Sequence, residues 1–163
     1  MATTNIDWPR RRWLALPLCF AVSATWAQAA GTAEWVDVWK SPTCGCCKDW
    51  VIDLESNGFK VRTDDDGNTA ARQRLGVPVR LGSCHTASVG GYAVEGHVPA
   101  RDIRRLLKER PAAIGLAVPS MPIGSPGMDG PAYGQRKDPY DVLLVAKDGS
   151  STIYQRYSKG NLT

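Results

Sequence analysis

Three cysteines, Cys44, Cys46 and Cys47, fall within four residues of this chain. They follow residues 34–40, whose β-branched and aromatic side chains predict a strand. They precede residues 48–57, whose apolar spacing predicts a helix. The backbone N–H groups and the dipole at a helix N-terminus favour a thiolate over a thiol. The sequence therefore predicts reactive or metal-binding sulfur at a junction between a strand and a helix.

The first 29 residues have the composition of an export signal. Three arginines at 10–12 precede a mostly apolar stretch, residues 13–26, and the small residues at 27 and 29 are typical of a cleavage site before Ala30. The apolar stretch is short for a membrane span. We therefore expect a periplasmic protein with no stable membrane insertion after cleavage, exported by the general or the twin-arginine route. An uncleaved N-terminal anchor is the alternative.

Cleavage divides the chain into a signal peptide, residues 1–29, and a single domain, residues 30–163. The leader carries three arginines and one aspartate, so its removal lowers the net charge from +4 to +2. That charge gives no indication of nucleic-acid binding. The domain keeps four cysteines, and outside the cytoplasm an even count usually indicates disulfides. Three cysteines within one turn are nevertheless an unusual arrangement for two structural disulfides.

Turn residues and periodicity divide the domain into short elements. The predicted elements are strands at 34–40, 59–63, 86–89 and 92–96, helices at 48–57, 69–75 and 100–109, and a closing hairpin of 142–146 with 152–157. The order β-α-β-α-β-β-α, with sulfur after the first strand, is the thioredoxin arrangement. We therefore predict an α/β, thioredoxin-like fold with a central mixed sheet flanked by helices, a Pro/Gly-rich Met loop at 119–128 and a C-terminal hairpin.

Cys44 and Cys47 form a Cys-x-x-Cys pair, a spacing that redox enzymes use because the inner thiol can reach the outer thiolate. Cys46 adds competing disulfides and raises the density of soft ligands, which select Cu(I), zinc or iron–sulfur centres. If the backbone is helical, adjacent Cys46 and Cys47 point about 100° apart. Such thiolates are better suited to bridging several Cu(I) ions than to sharing one small ion.

Further soft donors lie elsewhere in the chain. In a thioredoxin arrangement the entry to the third strand lies against the thiol motif, so we expect Cys84 and His85 to face it. Cys84 is a ligand, a small core residue or a disulfide partner, and His85 is a ligand or a hydrogen-bonding helper. We interpret His97 as structural. Met121 and Met128 carry thioethers that bind Cu(I) without deprotonation, and their loop could cover the site or anchor itself to the surface.

Four motifs in this chain, residues 41–47, 83–87, 91–99 and 121–128, resemble those of the CopG-like copper-resistance proteins in identity and order. These periplasmic proteins are often described only as a domain of unknown function. The resemblance covers about residues 35–128. It implies a thioredoxin-like fold that binds copper through Cys44, Cys46, Cys47 and Cys84. It leaves open whether the role is storage, delivery or Cu(I)/Cu(II) redox conversion.

The sequence thus favours a periplasmic protein of copper homeostasis or resistance that binds one or more Cu(I) ions and exchanges them with other copper-handling proteins. One alternative is a thiol–disulfide oxidoreductase with Cys44 and Cys47 as its catalytic pair, so enzymatic activity is left open. A structural zinc module is another. The candidate metal ligands are Cys44, Cys46, Cys47, Cys84, His85, Met121 and Met128.

Overall fold

The computed structural model describes residues 1–2, 34–158 and 161–162, so nearly all of the predicted signal peptide lies outside the described residues. None of the helices in the described part of the chain is long and apolar enough to cross a membrane. The helices and strands are, in chain order, β1 Trp35–Lys40, α1 Gly45–Ser56, β2 Lys60–Asp64, α2 Thr69–Arg74, β3 His85–Val89, β4 Tyr92–Glu95, α3 Ala100–Glu109, β5 Ala113–Ala117, β6 Tyr140–Ala146, β7 Ser151–Ser158 and β8 Asn161–Leu162.

The strands form one mixed sheet in the order β2-β1-β3-β4-β5-β6-β7-β8. β1 pairs in parallel with β2, and β4 pairs in parallel with β5. The remaining neighbours are antiparallel, including β1 with β3 and the C-terminal hairpin of β6 and β7. This arrangement confirms the predicted α/β class and the mixed sheet.

Helix α1 begins three residues earlier than its predicted start at residue 48. Cys44 occupies its N-cap with extended backbone, so Cys46 and Cys47 lie in the first helical turn. Residues Cys47, Trp50 and Leu54 are the buried positions of this helix, and their spacing of three and four residues places them on one face. The helical backbone also separates the side chains of the adjacent cysteines, since Cys47 is buried and Cys46 is only half-buried.

The sheet has apolar side chains on both faces. Along β4, Tyr92 and Val94 belong to a large cluster that contains Trp50 of α1 and Ile103 of α3. Ala93, between them, belongs to a second, smaller cluster. Because successive side chains of a strand point to opposite faces, β4 is covered on both sides. The rigid sheet and α1 together hold the cysteine segment at one end of β1.

Strand β5 was not predicted from the sequence. Its segment, Ala113–Ala117, contains two alanines and a glycine, which have low strand propensity. The structure explains the glycine, because a Cβ at Gly115 would lie 1.8 Å from the carbonyl oxygen of Ala93. The close approach of β4 and β5 therefore requires a residue without a side chain, and this tertiary requirement overrides local propensity.

Candidate metal centre

The cysteine cluster is built on the N-terminus of α1. A turn in which the Cys44 N–H donates to the Ser41 carbonyl at 3.1 Å leads into the helix. Cys44 and Cys47 are joined by a disulfide, while Cys46 is free and half-buried. The Cys46 Sγ lies 3.6 Å from the Cys44 Sγ. The Cys-x-x-Cys pair is thus disulfide-bonded, with a third sulfur in contact with it.

Cys84 is the fourth cysteine of the cluster, and it comes from the loop that enters β3. Its Sγ lies 3.8 Å from the Cys46 Sγ. The Cys47 Sγ lies 3.7 Å from the Cys84 carbonyl oxygen. The register of β1 with β3, in which Lys40 pairs with His85, sets the start of β3 beside the end of β1. As a result, all four Sγ atoms lie within 4.8 Å of one another.

Two imidazoles approach the same sulfur. The Cys84 Sγ lies 3.3 Å from His85 Nδ1 and 3.1 Å from His97 Nε2. His97 Nδ1 donates to the Pro126 carbonyl at 2.8 Å, so its Nε2 carries the lone pair and faces Cys84. Cys84, His85 and His97 thus form a second group of donor atoms within 4.8 Å of one another, and Cys84 belongs to both groups.

His85 is buried without full hydrogen bonding. Its ring stacks at a tilt on Trp50, with centroids 4.2 Å apart, and meets the His97 ring edge at 5.0 Å. Its Nε2 has no hydrogen-bond partner among the described residues. A buried polar group without a partner costs about 1–3 kcal/mol. The nitrogen that faces Cys84 is the other one, Nδ1, at 3.3 Å.

The interpretation of His97 as structural stays a prediction, and its ring lies beside the cysteine cluster. The structure gives it a fixed orientation through Pro126 and also points its free nitrogen at the cysteine cluster. One sequence signal was available. His97 follows β4 after a single glycine, and β4 is the neighbour of β3, so the end of β4 and the start of β3 meet at the same edge of the sheet.

The loop at 119–128 lies directly on the start of α1. Gly127 has a φ of +82°, and a Cβ there would lie 2.6 Å from the Cys46 carbonyl oxygen and 2.7 Å from the Trp50 nitrogen. The loop therefore contacts both the cysteine helix, through Gly127, and His97, through Pro126. We call residues 119–128 the covering loop, because they pack on the helix that carries Cys46 and Cys47.

The two methionines of this loop have different surroundings. Met128 is buried, and its Sδ accepts a hydrogen bond from the Tyr133 hydroxyl at 3.3 Å. Met121 is 48% exposed. No contact described here joins either sulfur to a cysteine, so their roles as metal ligands stay predictions.

Burial controls the protonation of the donors. Desolvation, followed by the neighbouring Cys46, raises the pKa of Cys84 to about 12, so the metal-free thiol is protonated at neutral pH. Desolvation lowers the pKa of both His85 and His97, which keeps the imidazoles neutral. Neutral imidazole is the form that binds metals, and a cation must displace the proton of a thiol.

The donor spacing fits a soft metal ion. Two thiolates bound tetrahedrally at the metal–sulfur distance of about 2.3 Å lie about 3.8 Å apart. The Cys46–Cys84 separation of 3.8 Å and the Cys44–Cys46 separation of 3.6 Å match that value. In the disulfide form, Cys46 and Cys84 are the free thiols among the four cysteines of the cluster. All four sulfurs become available only after the Cys44–Cys47 bond is reduced.

Comparison with known proteins places the chain in a family. A family model described as a protein of unknown function, DUF411, matches residues 81–128. A solved structure named copper resistance protein CopG, form 2, is 46% identical, with a TM-score of 0.71, and the match covers 78% of this chain and 100% of that one. The chain belongs to the CopG-like family. Form 1 of the CopG structure gives the same identity and TM-score, with coverages of 77% and 98%.

The CopG-like family was the one predicted from the four motifs, and that prediction is confirmed. No curated protein matches the chain. The 81–128 stretch matched by the family model contains Cys84, both histidines and both methionines. The three clustered cysteines precede it, so the family model matches the candidate donors that lie outside the Cys-x-x-Cys segment.

Proposed function

We propose that this chain is a periplasmic copper-binding protein that holds Cu(I) as its cargo in copper homeostasis or resistance. The observation that carries the proposal is the convergence of four Sγ atoms within 4.8 Å of one another. Thiolates are soft ligands that favour Cu(I). The similar solved structures carry the name of a copper resistance protein, which supports a copper-related role for this chain as well.

In this proposal the thiolates of Cys44, Cys46, Cys47 and Cys84 are the primary ligands once the disulfide is reduced. Cys84 bridges the cysteine group and the histidine group, because its sulfur belongs to both. A bridging thiolate lets more than one Cu(I) ion bind side by side. The four-sulfur donor set and the divergence of Cys46 from Cys47 support this multi-ion arrangement.

The imidazoles and the covering loop have supporting roles in the proposed site. His97 presents its Nε2 lone pair because Pro126 holds its Nδ1 proton, and His85 has an unpartnered buried nitrogen. Both can serve as ligands or as acceptors of the Cys84 proton. Met121 and Met128 extend or guard the site. The loop limits access of water to the sulfurs at the start of α1.

An anaerobic titration of reduced protein with Cu(I), against a competing chelator, tests this function. We expect tight binding in the wild type and loss of that binding in a Cys44→Ser/Cys46→Ser/Cys47→Ser variant. Equal affinities in the two proteins would refute the proposal. The matched control is Ser88→Ala, since Ser88 lies on β3 away from the sulfur cluster.

The disulfide between Cys44 and Cys47 supports a second candidate, a thiol–disulfide oxidoreductase. This candidate requires that the metal-free protein reduce insulin disulfides and that Cys46→Ser leave this activity unchanged. Lack of activity in the metal-free protein excludes it. Metal analysis after purification without chelators separates copper binding from the third candidate, a structural zinc module.

We also propose that the first four strands with α1, α2 and α3 form a thioredoxin-like unit, extended by β5 and the C-terminal hairpin. The β2-β1-β3-β4 order with antiparallel β3 supports this assignment. Cleavage of residues 1–29 during export stays a prediction. The N-terminal sequence of the protein from the periplasm tests it, with Ala30 as the expected first residue.

A further inference from the structure

A buried carboxylate lies behind the sulfur cluster, on β4. Glu95 is fully buried, and its Oε1 accepts from Arg72 Nε at 2.9 Å and from Arg72 Nη2 at 2.7 Å. The same oxygen accepts the Ser83 backbone N–H at 2.6 Å, and Oε2 accepts the Thr86 hydroxyl at 2.6 Å. Both oxygens of this carboxylate therefore accept hydrogen bonds. Two of its three partners, Ser83 and Thr86, flank Cys84 and His85.

Every polar group of Ser83 forms a hydrogen bond. Its carbonyl oxygen accepts from Arg72 Nη2 at 2.6 Å and from Asn68 Nδ2 at 2.9 Å. Its hydroxyl donates to the Ser120 carbonyl of the covering loop. Arg72 and Asn68 come from α2 and the residue before it. A single loop residue thus bonds to α2, β4 and the covering loop at once.

Close backbone packing also restricts the segment around Ser83. The Gly96 N–H donates to the His85 carbonyl at 3.0 Å. Gly96 has a φ of +71°, and a Cβ there would lie 2.6 Å from the Ser83 Cβ and 2.5 Å from the Val118 carbonyl oxygen. Residues 95 and 96 therefore leave the segment that carries Cys84 little room to move.

We propose that the buried Glu95–Arg72 pair is a positioning device for Cys84. By fixing both peptide groups that flank Ser83, it sets the Cys84 sulfur 3.8 Å from Cys46 and 3.1 Å from His97. An apolar pair of the same volume could fill the space with equal stability, but it could not bond to the backbone of Ser83. The inference rests on the proposed function, since it assigns Cys84 to copper.

A role in stability alone is the competing explanation, and Asp102 provides the matched control. Asp102 is also a buried acid, on α3, and it accepts the Tyr157 hydroxyl at 2.5 Å. It has no contact with the cysteine loop in the described structure. Glu95→Gln and Asp102→Asn each neutralise one buried carboxylate with little change in shape, so only the first should change the cysteine cluster.

Two measurements on reduced protein test the inference. The first is the alkylation rate of Cys84 in the metal-free protein, followed by mass spectrometry. We expect Glu95→Gln to raise the rate about tenfold, because a neutral amide oxygen bonds more weakly to Arg72 and the amide NH2 cannot accept the Thr86 hydroxyl, which loosens the loop. The second is the Cu(I) affinity by chelator competition, which we expect to fall about tenfold or more, as for other residues that orient metal ligands. Asp102→Asn should change neither.

The inference is overturned if Glu95→Gln protein keeps the wild-type alkylation rate and the wild-type Cu(I) affinity. It is also overturned if Asp102→Asn changes both quantities as much as Glu95→Gln does. If wild-type protein does not bind Cu(I), the proposed function fails, while the alkylation rates still test the positioning of Cys84. If Glu95→Gln does not fold, Arg72→Lys replaces it. Lysine keeps the charge but loses the paired contact of Nε and Nη2 with Glu95, so we expect the same direction of change.

Discussion

Replacement of Gly127 by alanine should separate the covering loop from the cysteine helix. Gly127 has a φ of +82°, and an added Cβ would lie 2.6 Å from the Cys46 carbonyl oxygen and 2.7 Å from the Trp50 nitrogen. Both neighbouring atoms belong to the backbone of α1, so neither can rotate away. The loop must then either adopt a strained backbone conformation or move away from the helix.

The expected magnitude follows from two contributions. A non-glycine residue in the left-handed region costs about 1–2 kcal/mol, and overpacking against a rigid neighbour costs about 1–3 kcal/mol. We therefore expect Gly127→Ala to lower the free energy of unfolding by about 2–5 kcal/mol. If the loop moves instead, the stability loss is smaller, but His97 loses its bond to Pro126 and the Cu(I) affinity falls.

Urea unfolding and Cu(I) competition on the same samples measure the two outcomes. Gly130→Ala is the control, because Gly130 follows in the same Pro/Gly-rich segment with a φ of −71° and no atom within 4 Å of its Cβ position. We expect it to match the wild type in both assays. Gly127→Ala protein with wild-type stability and wild-type affinity would contradict the packing of the loop on α1.

Two further predictions concern single side chains. Burial raises the pKa of Asp102 from its usual 3.8, so its contribution to stability is full below that value and is lost as the pH rises through the folded pKa. The urea midpoint of Asp102→Asn, relative to the wild type, should therefore rise as the pH increases above 3.8, and a constant difference would refute this. Cys46→Ser should lower the number of Cu(I) ions bound per chain, by metal analysis. An unchanged ratio would remove Cys46 from the site.

The sequence predicted those elements whose signals are local. The bounds of α3 agree with the prediction from Pro99 and Pro111, which mark its two ends. The apolar spacing of Trp50 and Leu54 predicted α1, although the helix begins earlier because Cys44 takes the N-cap without a side-chain bond. The contact between Cys84 and Cys46 followed from the expected neighbourhood of β1 and β3.

The missed features depend on contacts between distant segments. β5 has low strand propensity and exists because Gly115 permits close approach to Ala93. The orientation of His97 depends on Pro126, 29 residues away. The buried contacts of Glu95 with Arg72 are equally non-local, since a charged residue at the end of a predicted strand gives no signal of burial.

The metal content of the natural protein is the sharpest test of copper binding by the cysteine cluster. The protein is prepared from the periplasm under anaerobic, reducing conditions, and metals are measured per chain alongside the Cys44→Ser/Cys46→Ser/Cys47→Ser variant. We expect copper at one or more ions per wild-type chain and almost none in the variant. Zinc in place of copper, or equal copper in both proteins, would contradict this expectation.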